Sequence, residues 1–427
     1  MDRAGWVSAV CALAVLAAEP RPAEGAGYSL YEQSARALGM GGALTARAGD
    51  ASSVFFNPAG LAQVRGGDFY GGVTLLFSDR SFSGQAPFPG YKVTEESPSQ
   101  VFYPVAAYLA HQAGDFGLGL GFYSPFGLAT EWKDPDNFSG RFISTKAELE
   151  SFCFNPAVGW NLSERVRLGL GILAVTSSVR LERAVGRPNP TEVGPGVLDL
   201  GTVVLDGGSG GLDFGFNAGV QVDIWETITA GVAYRSQVDA LLRGDADFTF
   251  TGGTPLTPQI APLFPKDQKA ETELPLPDLL VLGLAHRCGA SEFEVDLGWQ
   301  NWADFQALVV RFDDPSLDIE RRERWENAWF LRGGWEYALR PDLDLRLGAY
   351  YDRSPQPTES ISPLLPDNDR WGLSAGLGIV AGSLRADVYG LLLLSPDRST
   401  DGRSIDGYEG TYDSGAVITG LSLGFGF

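Results

Sequence analysis

The amino-acid sequence predicts an all-β protein, a 14-stranded antiparallel β-barrel that crosses a membrane. Three observations predict this fold. Apolar and polar residues alternate along many segments, short and long connections follow one another in turn, and no run after the first twenty residues is apolar enough to cross a bilayer as a helix. A membrane barrel hides its hydrophobicity in this alternation, so the mean hydropathy of −0.03 agrees with the prediction.

The alternation has a period of two residues, as expected for a β-strand. In the segment 291–302, Phe293 and Val295 point to one face, and Glu294 and Asp296 point to the other. A soluble β-sandwich produces the same pattern, because it also has one apolar and one polar face. Alternation therefore predicts strands but does not distinguish these two folds.

The order of the connections does distinguish them. We predict strands at 67–79, 101–112, 115–123, 147–160, 165–183, 212–224, 227–250, 278–288, 291–302, 325–338, 341–352, 369–381, 383–394 and 415–427. The links between them are long and short in strict alternation, and the long links are rich in Pro, Asp, Ser and Gly. Short periplasmic turns opposite long extracellular loops are typical of an outer-membrane barrel, and an even strand count places both termini on the periplasmic side.

The N-terminus has the pattern of a secretory signal peptide over residues 1–25. Arg3 provides a positive charge, residues 5–18 form a short apolar core, and the small residues Ala23 and Gly25 precede a plausible cleavage site. The sequence therefore predicts an exported protein located in the bacterial outer membrane.

Residues 26–66 lack strand patterning and precede the barrel domain, 67–427. Short helical turns broken by Gly and Pro are expected there, with Asp50 or Ser52 as an N-cap. A barrel of fourteen strands leaves an open lumen, so a segment folded inside would plug it. We predict that residues 26–66 form an N-terminal hatch (plug); a periplasmic tail is the alternative.

Motifs along the whole mature chain resemble those of a known family. They are GYSLYEQSARALGMGGALTARAGDASSVFFNPAGLA at 27–62, YSPFGLATEW at 123–132, FNPA at 154–157, YRS at 234–236, LPLPD at 274–278, WQNWADF at 299–305, YDRSPQP at 351–357 and PDNDR at 366–370. Their order and spacing resemble the FadL/TodX family of outer-membrane transporters for long-chain fatty acids and aromatic hydrocarbons. The hatch motif of that family matches Asn57, Pro58, Ala59 and Gly60.

The resemblance implies a route for hydrophobic cargo and a monomeric protein. Cargo would be captured among the extracellular loops, bound in a lumenal pocket and released sideways into the lipid through a gap at a kinked strand. The partners expected are a hydrophobic small molecule, outer-membrane lipid and lipopolysaccharide. A family-related scaffold for a secretion partner, without transport, is the alternative function, and the sequence leaves the cargo open between fatty acids and hydrocarbons.

One extracellular loop, 124–146, is unusually apolar and is the predicted capture loop. Its candidate residues are Phe126, Leu128, Trp132, Phe138 and Phe142. Exposed apolar patches usually bind something, although the same residues could pack a small core within the loop.

Charged residues on the inward faces are the remaining candidates. Arg235 and Arg346 could meet a fatty-acid carboxylate, and Asp352 accompanies them in the lumen, but pairing among lumenal charges is the more ordinary role. The remaining family-motif residues, predicted to lock the outer loops together, are Asp367, Asp369 and Arg370.

Composition argues against other functions. A net charge of −21 is unsuitable for binding nucleic acid. The two histidines, His111 and His286, have no recognisable catalytic partners, and no metal-ligand spacing is present. The sequence therefore predicts a protein that is not an enzyme and has no cofactor and no metal.

Overall fold

The computed structural model describes residues 27–188, 197–252 and 257–427. The predicted signal peptide, 1–25, lies outside the described residues. Within them, fourteen strands form the barrel: β1 Gly67–Gly84, β2 Val105–Ala113, β3 Phe116–Tyr123, β4 Lys146–Asn161, β5 Val166–Pro188, β6 Asp213–Trp225, β7 Ile228–Arg235, β8 Leu279–Cys288, β9 Ser291–Gln300, β10 Ala328–Arg340, β11 Leu343–Asp352, β12 Arg370–Ala381, β13 Leu384–Leu394 and β14 Gly410–Gly426.

The barrel closes between its first and last strands. β1 pairs with β14 from Asp68 opposite Gly426 to Gly84 opposite Gly410. Every other barrel strand is antiparallel to the strand before it. The predicted 14-stranded antiparallel barrel is thus confirmed, and closure leaves no strand edge unpaired in lipid.

Burial along the strands is the reverse of that in a soluble protein. In β9, Phe293, Val295 and Leu297 are 47%, 53% and 48% exposed, while Glu294 and Asp296 between them are buried. Apolar side chains that face outward suit a surrounding lipid bilayer, and carboxylates that face inward suit a polar lumen. None of the helices in the described ranges combines the length and the apolar character that crossing a bilayer requires.

The short turns lie at one end of the barrel, as the sequence predicts. Gly114 between β2 and β3 and Gly382 between β12 and β13 both have φ of 64°. This left-handed conformation costs a glycine little, which explains the residue type at these two tight turns.

The opposite end carries an extension of the barrel sheet that the sequence does not predict. Val238–Phe250 pairs with Val197–Ser209 on one side and with Gln268–Leu276 on the other. The sheet starts from the outer part of β5, which pairs with Val197–Ser209, and continues through Ala307–Phe312 to Ile319–Arg322. We call these five strands and the outer part of β5 the outer sheet.

The prediction of one strand over 227–250 is therefore wrong. Barrel pairing of β7 with β6 ends where Arg235 lies opposite Asn217. The backbone N–H of Ser236 then donates to the carbonyl oxygen of Phe216, and the Ser236 hydroxyl accepts from the Phe216 N–H. These bonds finish the barrel ladder, and the chain turns at Gln237 into the outer sheet.

The remaining elements are short. They are the α-helices Ala35–Gly39, Ser53–Phe56 and Thr257–Ile260, the 3-10 helices Pro58–Gln63, Ala261–Leu263, Trp302–Asp304, Pro315–Leu317 and Thr358–Ser360, and the loop strands Thr94–Glu96, Gln100–Phe102, Gly127–Glu131 and Arg398–Ser399.

Residues 27–66, here called the N-terminal segment, lie against inward faces on opposite sides of the barrel. The helix Ala35–Gly39 contacts β11, β12, β13 and β14, whereas Pro58–Gln63 contacts β2 to β6. The Ser34 hydroxyl caps the first helix by accepting from the Ala37 N–H. The segment thus reaches across the space that the barrel encloses, and most of its side chains are buried.

Glycines in the barrel strands make room for this segment. A methyl group added at Gly117 would overlap the carbonyl oxygen of Leu61, and one added at Gly169 would overlap the backbone of Pro58 and Ala59. The same is true at Gly219, Gly231 and Gly348, which face other parts of the segment. Strand glycines often mark the close approach of another backbone, and here that backbone is the N-terminal segment.

Candidate functional site

A large cavity opens among the extracellular loops, between the outer sheet and the loops after β11 and β13. It has a volume of about 690 Å³, within the size range of small-molecule sites. We call it the outer cavity. Its apolar wall includes Leu181 of β5, Val203 and Leu205 of the next strand, and Leu308 and Val310.

A smaller pocket of about 70 Å³ adjoins the outer cavity, and we call it the inner pocket. Its lining is almost entirely apolar and includes Leu149, Leu242 and Leu274. Leu181 and Leu308 line both spaces, so the two share a wall. We call the two spaces together the stepped path; it is partly polar in the outer cavity and apolar in the inner pocket.

An aromatic cluster around Tyr28 borders the inner pocket. The Tyr28 ring meets Trp302 edge-on at 4.6 Å between centroids, and Phe305 and Trp325 lie at 6.0 and 5.9 Å. The Tyr28 hydroxyl donates to the carbonyl oxygen of Pro275 at 2.5 Å. The start of the N-terminal segment therefore forms part of the wall of the pocket.

Charged side chains occupy the lumen near the short-turn end of the barrel. Arg346 lies 2.5 Å from Glu336 and 2.6 Å from Asp387, and Arg36 of the N-terminal segment lies 3.0 Å from Asp50. Arg47 pairs with Glu336 as well. We call this network the charged layer; it joins the segment to the barrel wall and contrasts with the apolar path on the other side of the segment.

The predicted capture residues fall into two groups, of which the first lies along the path. Phe126 is buried beside Tyr28, with 6.2 Å between the ring centroids. Leu128 lines the inner pocket and Phe142 lines the outer cavity, where the Arg141 guanidinium lies 4.6 Å from its ring.

Trp132 and Phe138 form the second group and do not line the path. Each is 1% exposed, and their rings stack 4.8 Å apart within a cluster that includes Phe82 and Tyr408. The Trp132 indole N–H donates to the carbonyl oxygen of Pro363. These two residues therefore hold the loops together, and their prediction as capture residues needs this correction.

The predicted lumenal residues have protein partners. Arg346 belongs to the charged layer, and Asp352 accepts from Arg332 at 3.0 Å and from Arg370 at 3.2 Å. Arg235 donates to the Phe55 carbonyl oxygen at 3.0 Å, and its guanidinium lies 4.1 Å from the Phe55 ring. The structure therefore gives Arg346 and Asp352 ionic partners on the barrel wall and gives Arg235 a partner in the N-terminal segment.

The predicted loop-locking residues connect the loop after β11 to the N-terminal segment. Asp367 accepts from the Gly27 N–H at 3.0 Å and from the Ser354 hydroxyl at 2.6 Å. Asp369 accepts from the Tyr351 hydroxyl at 2.6 Å. Burial raises the pKa of the Asp367 carboxyl to about 6, because it disfavours the charged form.

The predicted hatch motif sits at the centre of the N-terminal segment. The Asn57 side-chain amide lies 2.9 Å from the Thr45 carbonyl oxygen and 3.2 Å from that of Val220, and its oxygen accepts from the Ala59 N–H. Pro58 begins the 3-10 helix, and Gly60 packs so closely that a methyl group there would overlap Ala48. The motif thus forms a fixed turn that is bonded both to the barrel wall and to an earlier part of the N-terminal segment.

Comparison with known proteins identifies the family. The family model described as "Outer membrane protein transport protein (OMPP1/FadL/TodX)" matches residues 15–427. The chain belongs to this family.

Individual members extend this result. The long-chain fatty acid transport protein of Salmonella typhi is 26% identical over 368 residues, which cover 82% of this chain and 83% of that protein. The crystal structure of a Pseudomonas aeruginosa FadL homologue has a TM-score of 0.84 and 18% identity, and covers 94% of this chain and 100% of its own. The Ralstonia pickettii toluene transporter TbuX has a TM-score of 0.71 and 15% identity, over 92% and 98% of the two chains. The last two show a shared fold.

Membership of the FadL/TodX family agrees with the predicted resemblance and location. The protein is an outer-membrane transport protein, and the family consists of transporters and channels, not enzymes. Among residues 27–188, 197–252 and 257–427, no three His, Cys, Asp or Glu side chains are grouped as metal ligands.

The sequence did not single out Arg183, Leu181 or Leu308, which line the outer cavity. Arg183 lies at the outer end of β5, on the same face as Val179 and Leu181. A signal was available, since Arg183 stands between the apolar residues Leu181 and Val185 on one face of an alternating strand.

Proposed function

We propose that this protein carries hydrophobic small molecules, long-chain fatty acids or hydrocarbons, from the cell exterior through the outer cavity and the inner pocket. The observation that supports this most is the shared apolar wall of the two spaces. An apolar solute gains about 25 cal/mol for each Å² of its surface removed from water, so a stepped apolar path suits it better than a wet channel. The Salmonella relative is a long-chain fatty acid transport protein and the Ralstonia relative is a toluene transporter, so the two represent both cargo types.

Capture is the first step of the proposal. Phe142 presents its ring to the outer cavity, and Leu128 and Phe126 lie further along, at the inner pocket and beside Tyr28. Cargo therefore moves from a wide, partly polar space into a narrow apolar one. Weak binding at each step allows release to the next.

Closure of the lumen is the second element, and we assign it to residues 26–66 as a hatch. The described part of this segment is supported by the glycines that make room for it and by bonds from Asn57 to the strand carbonyls. The charged layer lies beyond it on the way to the periplasm. An apolar molecule would have to displace paired charges to continue, which is costly.

A side exit follows from this barrier, and we place it between β4 and β5. Their ladder pairs Phe154 with Ala174 and resumes only at Ala157 opposite Gly171, because Pro156 has no N–H to donate. The Asn155 side chain bridges the interruption by donating to the Ile172 carbonyl oxygen at 2.9 Å. By contrast, β3 pairs without interruption with both neighbours along its length.

The last part of the proposal concerns the lipid that surrounds the protein and its oligomeric state. The outward apolar band contacts outer-membrane lipid and lipopolysaccharide, and the chain works as a monomer that performs no chemistry on its cargo. A scaffold without transport has no need of an apolar path, so the two spaces favour transport.

Uptake tests the proposal directly. A deletion strain would be complemented with the wild type, with Leu308→Asp or with Leu263→Asp, and uptake of labelled oleate and of toluene measured. Leu308 lines both spaces, so an unpaired carboxylate there should lower uptake severalfold. Leu263, 61% exposed, provides the matched control and should behave as the wild type. Equal uptake of both compounds with and without the gene would refute transport.

A further inference from the structure

Arg183 is a cation placed in an apolar wall without a protein partner. In the outer sheet it lies opposite Val203, and Leu181 opposite Leu205 continues the same face. Its side chain is partly buried, and it makes no ion pair or side-chain hydrogen bond with any residue of the described ranges. Removing a cation from water is unfavourable unless something compensates, so a bound anion would be favourable beside this side chain.

Three of the four acids that line the outer cavity already have partners. Glu323 and Asp406 both pair with Arg321, the latter at 2.7 Å, and Glu359 pairs with Arg403 at 3.3 Å. Glu320 is exposed on the edge strand of the outer sheet.

Two further cations balance the negative charge of Glu320. Arg322 and Arg324 line the cavity and are exposed. Arg183 is thus the cation set between the apolar side chains that lead toward the inner pocket, while the other charges are paired or solvated.

We propose that Arg183 binds the carboxylate of a single-chain amphiphile, whose tail runs along Leu181 and Leu308 into the inner pocket. This proposal rests on the proposed function and narrows its cargo to anions such as fatty-acid carboxylates, in preference to neutral hydrocarbons. A guanidinium can hold a carboxylate by two parallel hydrogen bonds, and a partly dry setting strengthens them. The head group would supply the partner that the protein does not.

The position of Arg183 also orients the cargo. Leu181, two residues before it on the same face, lines both spaces, so a head group at Arg183 leaves the tail directed to the inner pocket. A neutral hydrocarbon has no group that could use this anchor and gains only apolar contact.

Binding to the protein isolated from outer membranes and held in amphipol tests the proposal. The probes are oleate and oleyl alcohol, which share a tail and differ in head group. The variants are Arg183→Met, Arg183→Lys and the control Arg243→Met; Arg243 lies in the same sheet, exposed and paired with Glu271. Heat-dependent migration on denaturing gels verifies that each variant is folded.

The wild type and Arg243→Met should bind oleate about tenfold to a hundredfold more tightly than oleyl alcohol, the range for a charge-assisted hydrogen bond. Arg183→Met should lose this preference while keeping its affinity for the alcohol, and Arg183→Lys should keep part of it. Equal wild-type affinities for both probes, or an unchanged preference in Arg183→Met, would overturn the anchor but leave transport intact. Failure of both probes to bind would overturn the anchor and the proposed function together.

Discussion

Asn57→Ala should loosen the N-terminal segment without opening the barrel wall. The Asn57 amide group lies within 3.3 Å of the carbonyl oxygens of Thr45, Val220 and Val232, and its own oxygen accepts from the Ala59 N–H. Two of these acceptors belong to barrel strands and one to the segment itself. The side chain therefore joins the segment to the barrel and to its own earlier turn, and alanine removes every one of these bonds.

The free energy lost in Asn57→Ala follows from the number of hydrogen bonds that the variant cannot make. The amide group of Asn57 has two hydrogens, so it can donate to two of its three acceptors at one time. The bond that its oxygen accepts is the third hydrogen bond lost in Asn57→Ala. At about 1 kcal/mol net for each buried hydrogen bond, the loss is about 3 kcal/mol. Since about 1.4 kcal/mol corresponds to tenfold, the population in which the segment is released should rise roughly a hundredfold.

Amide hydrogen exchange measures this population, because local opening controls exchange of buried N–H groups. Peptides covering 43–62 should exchange roughly a hundredfold faster in Asn57→Ala, and peptides from β9 should be unchanged. Asn137→Ala is the matched control, since the Asn137 amide bonds only to Asp134 in an exposed loop. Unchanged protection of 43–62 would refute the assignment of Asn57 as the central attachment of the segment.

Three further predictions concern packing, charge and exit. Gly169→Val places a side chain where it overlaps Ala59, so the segment should become protease-sensitive and the free energy of unfolding should fall by about 1–3 kcal/mol or more. The raised pKa of Asp367, in a loop outside the membrane-spanning strands, means that the folded protein holds a proton between about pH 4 and 6 that the unfolded chain has lost. Stability should therefore fall as pH rises, by about 1.4 kcal/mol from pH 5 to 7, and the difference should vanish in Asp367→Asn, as thermal unfolding would measure. Val175→Cys creates a disulfide with its register partner Cys153 beside the interruption in the β4–β5 ladder, and uptake should stop when oxidised and return when reduced.

Each of the three has a control. Gly333→Val should be tolerated, because a Cβ added there lies no closer than 3.9 Å to its nearest neighbour, the carbonyl oxygen of Ala349. For the pH dependence, a slope in Asp367→Asn equal to that of the wild type would assign it to other groups. A disulfide between Ala233→Cys and Val281→Cys, register partners in β7 and β8, should leave uptake unchanged when Cys153 is replaced by Ser. Equal inhibition by both crosslinks would contradict an exit between β4 and β5.

The fold could be predicted because its signals are local. Alternation and the order of links located all fourteen barrel strands, since both depend on neighbouring residues. Val238–Phe250 was assigned to the barrel because its alternation continues that of β7 across Ser236 and Gln237. Its true partners, Val197–Ser209 and Gln268–Leu276, are chosen by contacts distant in sequence, which a pattern of period two does not encode.

The site was less predictable for a related reason. Aromatic residues in a loop look alike whether they face cargo or one another, and only packing separates Phe142 in the outer cavity from the stacked Trp132 and Phe138. In the same way, the sequence alone makes Arg346 a candidate for cargo binding, but Glu336 and Asp387 lie beside it and pair with it. A cation's availability depends on its neighbours in space.

In the proposed transport route, the distribution of charge in the lumen is the reason for a sideways exit. The space above the N-terminal segment has apolar walls, where cargo gains from leaving water, and the space below it contains paired charges such as Arg346 and Asp387. Breaking such a buried pair costs about 3–5 kcal/mol, and an apolar molecule offers no bonds in return. Lipid beside the wall imposes no such cost. The proposed exit through the barrel wall, at the interruption next to Pro156, would therefore be the route of lower free energy for a molecule held in the inner pocket.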